Sequence, residues 1–199
     1  MKANTLLAFV LLGIGTDCAV ASSLKSSDEV TLIVDEAPNH IRPYILPKFA
    51  GRATYLTPSQ PIRFSITTNS TGGAFSVVQH SGKVSGWTPA RPHTHRRTHE
   101  FFYCSRGRIQ VWGQKNVTGA GQEARVGTVG DFAAMPPGSI HTFQLTAPDS
   151  QMTHIFYPGG FEHLFDVFGK KPYESELGAP YPPDWEDFAG PWSQVGTTY

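Results

Sequence analysis

Residues 86–107 read G-W-T-P-A-R-P-H-T-H-R-R-T-H-E-F-F-Y-C-S-R-G, and the spacing of three side chains in this stretch limits how the chain can fold. His93 and His95 are two positions apart. In an extended strand, residues two apart point to the same face, so both imidazoles can aim at one point. Glu100 comes five residues after His95, an odd step that a continuous strand would send to the opposite face. The stretch Arg96-Arg97-Thr98-His99 is therefore expected to bend, with Glu100 opening the next strand toward the same interior. His141 follows Pro136-Pro137-Gly138, a turn that sets up a fresh strand. Three imidazoles and one carboxylate make an N3O donor set. Such a set suits Cu(II), Fe(II), Mn(II), Ni(II) or Zn(II), and the donors alone do not choose among them.

The rest of the chain reads as short β-type runs separated by turn residues. Strands are expected at residues 30–34, 53–56, 62–67, 74–80, 100–104, 124–128, 132–135, 142–145 and 152–157. Residues 108–113 are expected to return from Arg106-Gly107 as the second arm of a hairpin. One helix is expected over residues 161–168, where Phe161, Leu164, Phe165 and Phe168 are spaced by three and four. Residues 172–199, rich in proline and aromatics, read as an irregular tail with a short helical turn near 184–188. With 20 glycines, 16 prolines and 12% aromatics, the sequence favours an all-β fold closed by antiparallel pairing over a helical bundle.

The amino terminus carries a different signal. Lys2 is followed by an apolar run at residues 6–14 and by Ala19-Val20-Ala21, the three-part pattern of a secretory signal peptide. The run is shorter than the roughly 20 residues of a spanning helix. Residues 1–21 are expected to be removed, leaving 22–199 as one domain with its core at about 41–168. The protein is then expected to be secreted or in the secretory lumen, with no membrane attachment after cleavage. Cys18 would leave with the leader, so Cys104 would have no partner for an intramolecular disulfide and reads as a buried structural residue. Asn69-Ser70-Thr71 and Asn116-Val117-Thr118 are N-glycosylation sequons in turn-like stretches. Lysine plus arginine and aspartate plus glutamate number 16 each, so the chain has no basic footprint for nucleic acid and no polybasic patch for an anionic membrane.

Strand phase also places apolar side chains around the donors. If Glu100 points inward, so do Phe102 and Cys104, and Phe143 goes with His141. These residues read either as core or as the wall of a pocket for a flat phenolic ligand. His40, His80, His99, His154 and His163 read as surface or hydrogen-bonded residues rather than ligands.

The pattern H-x-H-x4-E-x6-G at His93, His95, Glu100 and Gly107 resembles the first cupin motif, and G-D-F-A-A-M-P-P-G-S-I-H at residues 130–141 resembles the second. Two departures leave the ligands untouched: six residues rather than five separate Gly86 from His93, and Leu145 stands where the motif often has asparagine. The stretches I-R-P-Y-I-L-P-K-F-A-G, T-G-G-A-F-S-V-V-Q, E-F-F-Y-C-S-R-G-R-I-Q-V-W, G-S-I-H-T-F-Q and Y-P-G-G-F-E-H-L-F resemble the fungal-type quercetin 2,3-dioxygenases across residues 41–165. Those enzymes are secreted cupins that open a flavonol ring with O2, using copper or another divalent metal. The resemblance implies a cupin jelly-roll barrel and one divalent ion, copper, iron, nickel or manganese, on His93, His95, Glu100 and His141. It implies an aromatic small-molecule substrate plus O2, Glu100 as ligand and general base, and Phe102, Phe143 and Met152 against the substrate. The family carries two cupin halves where this sequence has one, so a second subunit, with a homodimer as the simplest form, is a further expectation. The alternatives are a redox-neutral cupin of secondary metabolism (decarboxylase, cyclase or isomerase) and a non-enzymatic metal-binding cupin.

Overall fold

The computed structural model describes residues 32–57, 60–82, 91–168 and 185–187. The expected leader with Cys18, residues 30–31 of the expected first strand, Pro58, Gly86 and most of the expected tail lie outside the described residues.

The strands are β1 (Ala53–Thr57), β2 (Gln60–Ile66), β3 (Ser76–Gly82), β4 (His93–His95), β5 (His99–Arg106), β6 (Arg108–Lys115), β7 (Gln122–Thr128), β8 (Phe132–Met135), β9 (Ser139–Leu145), β10 (Ser150–Tyr157) and β11 (Trp185–Asp187), with the helix α1 (His163–Phe168) after β10. They form a six-stranded sheet in the order β1-β2-β3-β10-β5-β8 and a five-stranded sheet in the order β11-β4-β9-β6-β7. Neighbouring strands pair antiparallel throughout. This is the jelly-roll arrangement expected from the sequence. Ile33, in the expected first strand, makes only an isolated parallel bridge to Ile45.

Alternation decides which side chains face inward. In β10, Ser150, Met152, His154 and Phe156 are buried, and in β5 so are Glu100, Phe102 and Cys104. The register sets Phe156 opposite Glu100, His154 opposite Phe102, and Met152 between Cys104 and His80. On the other sheet Val111 pairs with Phe143 and Ile109 with Leu145. Two apolar clusters result. One joins Phe102, Cys104, Ile109, Val111, Phe143, Leu145 and Met152. The other joins Ile62, Phe64, Val78 and Phe156 to Phe161, Leu164 and Phe165 at the helix. Each fully buried side chain of this kind stabilises the fold by about 1.5–3 kcal/mol.

Two expectations are corrected. Residues 108–113 do not form a hairpin with β5: β5 pairs with β10 and β8, while β6 pairs with β7 and β9 in the other sheet. Both strands carry an apolar face, and facing sheets bury both faces where a flat hairpin would bury one. The crossing happens at Gly107, whose φ of 69° is open mainly to glycine and whose added Cβ would lie 2.5 Å from Ser150 Oγ. Ser150 Oγ in turn accepts the Arg108 N–H at 3.1 Å. Residues 185–187, expected as a helical turn, are a strand. They pair with His93–His95 and so give partners to a sheet edge that would otherwise be open.

The helix begins at His163 rather than 161. Glu162, 1% exposed, fixes its start: its carboxylate accepts the N–H of Gly160 at 2.9 Å and the N–H of Thr68 at 2.6 Å. Burial pushes this carboxyl up, and the hydrogen bonds from Thr68, Ser76 and Gly160 outweigh that and hold it below its ordinary value.

Candidate metal centre

The four expected donors converge. His93 and His95 come from β4, His141 from β9 and Glu100 from β5, and their ligand atoms all lie within 4.8 Å of one another. His93 is opposite His141 in the register, with ring centroids 4.4 Å apart. The bend between His95 and Glu100 spans Arg96, Arg97 and Thr98, with His99 already in β5. It carries the chain from one sheet to the other, which is why an odd spacing ends on the same interior.

Local backbone fixes two of the imidazoles. His93 Nδ1 donates to the Arg91 carbonyl at 2.7 Å, and His141 Nδ1 donates to the Ser139 carbonyl at 2.9 Å. With Nδ1 so engaged, Nε2 is the nitrogen left to face a cation. Glu100 Oε2 lies 2.9 Å from Nε2 of His95 and 2.9 Å from Nε2 of His141. Two donors at right angles on one ion, each about 2.1 Å from it, stand about 3.0 Å apart, so both separations suit neighbouring donors on one cation. The donor set and its spacing fit a divalent metal.

The electrostatics point the same way. Burial pushes the Glu100 carboxyl up, but hydrogen bonds from His141, His154 and His95 together prevail and hold it well below the usual carboxylate range. His93 is pushed well below the ordinary histidine value, first by burial and then by the neighbouring His141 and His95. An ionised carboxylate beside a reluctantly protonated imidazole is what cation binding requires.

No family model matches the chain. A quercetin 2,3-dioxygenase of Aspergillus japonicus is 36% identical over 161 residues, covering 80% of this chain and 45% of that protein. A quercetin 2,3-dioxygenase of Bacillus subtilis is 30% identical over 142 residues, covering 71% of this chain and 39% of that protein. The chain thus spans about half the length of the curated relatives it matches. The structure of KdgF from Halomonas sp. superposes with a TM-score of 0.50 at 19% identity, covering 61% of this chain and 99% of that one. The chain has the cupin fold.

Within this cupin, Phe102, Phe143 and Met152 share one cluster and are 0–4% exposed. The Phe102 ring lies 5.9 Å from that of His141 and 5.5 Å from that of Phe143. Cys104 belongs to the same cluster, and burial pushes its thiol up, as suits an inert structural residue. Asn69, on a 3-10 turn, and Asn116, in the turn after β6, are exposed.

Three residues beyond the expected set shape the cupin site. Phe161 packs edge-on against His95 at 4.2 Å between centroids. His154, fully buried, donates from Nδ1 to Glu100 Oε1 at 2.8 Å. His80, also fully buried, is neither a surface residue nor a hydrogen-bonded one: both its ring nitrogens lack a hydrogen-bond partner among the described residues. Its ring lies 6.0 Å from that of His154 and 5.6 Å from that of Phe143. The signal for both was strand phase, since His154 is two residues after Met152 and His80 two after Val78. His40 and His163 are exposed, and His99 stacks on Phe101.

Proposed function

We propose that this cupin is a secreted, metal-dependent dioxygenase acting on a flavonol-like or polyketide-like phenolic. The observation that carries the reading is an N3O donor set built directly against an aromatic cluster. Its similarity to two quercetin dioxygenases supports it. His93, His95 and His141 would hold the ion through Nε2, and Glu100 through Oε2. A bound divalent ion would supply Lewis acidity and a redox contact for O2.

The remaining roles belong to the chain. Glu100 accepts the proton of the substrate hydroxyl, at the carboxylate oxygen that faces the donors. Phe102, Phe143 and Met152 exclude water, and the two phenylalanines offer ring faces to a flat ligand. A second copy of the chain would complete an assembly of the relatives' size, and secretion rests on Lys2, the apolar run at 6–14 and Ala19-Val20-Ala21.

Oxygen uptake on a panel of flavonols and related phenols tests the reaction. Consumption matched to product supports a dioxygenase. Product without consumption supports a redox-neutral decarboxylase, cyclase or isomerase instead. Full turnover in a metal-loaded Glu100→Gln variant would remove the proton-accepting role from Glu100. Amino-terminal sequencing of protein recovered from culture medium tests the leader, with Ser22 expected as the first residue.

A further inference from the structure

The two oxygens of Glu100 face different groups. Oε2 lies 2.9 Å from Nε2 of both His95 and His141, while Oε1 is 2.8 Å from His154 Nδ1. A carboxylate oxygen only accepts, so His154 Nδ1 is the donor. The His154 ring is enclosed by Phe143 at 4.8 Å, Phe102 at 5.2 Å, Phe156 at 5.9 Å and Phe165 at 6.5 Å between centroids. Its Nε2 has no hydrogen-bond partner among the described residues. A polar ring in such a place is costly to bury, and an apolar side chain would pack there more cheaply. The one polar bond that the structure gives it is the bond to Glu100.

We propose that His154 is a positioning residue that fixes Glu100 as a one-oxygen donor. By holding Oε1, it directs Oε2 at the imidazoles of β4 and β9 and prevents the carboxylate from turning both oxygens toward the same ion. It also determines which oxygen can take a proton from a bound hydroxyl. This rests on the metal reading above and not on the identity of the substrate.

Copper titration of the full chain tests it, with affinity read by competition against a chromophoric chelator and geometry read by the EPR spectrum of the Cu(II) form. His154→Phe suits the surrounding rings and deletes the donor. It is expected to weaken Cu(II) binding about 10- to 100-fold and to shift the spectrum. His154→Asn places an amide N–H near the position of Nδ1 and is expected to recover most of the affinity and the parent spectrum. His154→Gln places its amide near Nε2 and is expected to recover neither. A folded His154→Phe variant with the parent's affinity and spectrum overturns the proposal. Should that variant fail to fold, identical affinities and spectra for the Asn and Gln variants overturn it equally. A parent chain that binds no copper contradicts the metal reading as well, which separates that failure from this one.

Discussion

The two sheets contribute to the site in different ways. The five-stranded sheet supplies three imidazoles from β4 and β9, and two of them are oriented by carbonyls only two residues away, those of Arg91 and Ser139. The six-stranded sheet supplies one carboxylate, and a side chain 54 residues away orients it. One half of the site is set by local backbone and the other by tertiary packing. Glu100 also spans the two sheets through its contacts to His95 and His141, so it is both donor and cross-link.

If the carboxylate is the cross-link, its loss costs more than the loss of any one imidazole. Glu100→Ala removes the shared partner of three buried histidines. Its cost in metal-free protein is expected at about 3–5 kcal/mol by urea unfolding, as for other buried networks deprived of one partner. A smaller cost than that of His141→Ala would mean that the sheets are joined mainly by their apolar clusters.

Metal should act on both sheets at once. At about 100 times its Kd, a divalent ion is expected to stabilise the fold by about 2.7 kcal/mol, and a chelator should reverse the gain. Calorimetric scans with and without Cu(II) or Ni(II) measure this, and an unchanged Tm would show that the donors do not bridge the sheets through an ion.

A smaller effect belongs to the six-stranded side alone. His80→Leu replaces a buried, unpartnered ring and is expected to stabilise the protein by about 1 kcal/mol at neutral pH. The pH dependence has a definite sign. Burial, then His154, hold His80 well below its ordinary value of 6.5. As pH falls below that value the unfolded chain takes up a proton that the folded chain refuses, so stability is full above it and lost below. Urea midpoints between pH 7 and pH 5 should therefore fall less steeply in His80→Leu than in the parent. Least affected should be the outward face of β7: Val126, 54% exposed, should tolerate Val126→Thr within about 0.5 kcal/mol.

The same division explains what the sequence revealed. His93 and His95 are two apart and His141 follows a proline-glycine turn, so periodicity and turn chemistry made them candidates and the resemblance to the two cupin motifs selected them. Most strands, and the inward phase of Phe102 and Phe143, followed from alternation, while Met152 followed from the resemblance to the quercetin dioxygenases. The sheet switch at Gly107 was not visible, because a glycine turn between two apolar runs looks the same whether the second run returns beside the first or crosses to a facing sheet. The strand at Trp185–Asp187 was missed because its partner, the edge of β4, is about ninety residues earlier. His154 and His80 were passed over because each histidine was weighed singly, although their phase with Met152 and Val78 pointed inward.

The most direct measurement is copper loading of metal-free protein, with metal content determined by mass spectrometry and nitrogen coupling read from the Cu(II) EPR spectrum. One copper per chain coupled to histidine nitrogens is expected in the parent, with that signal lost in Glu100→Ala and in His141→Ala. A parent that retains no copper, or variants that retain it with an unchanged spectrum, would contradict a metal centre shared between the two sheets.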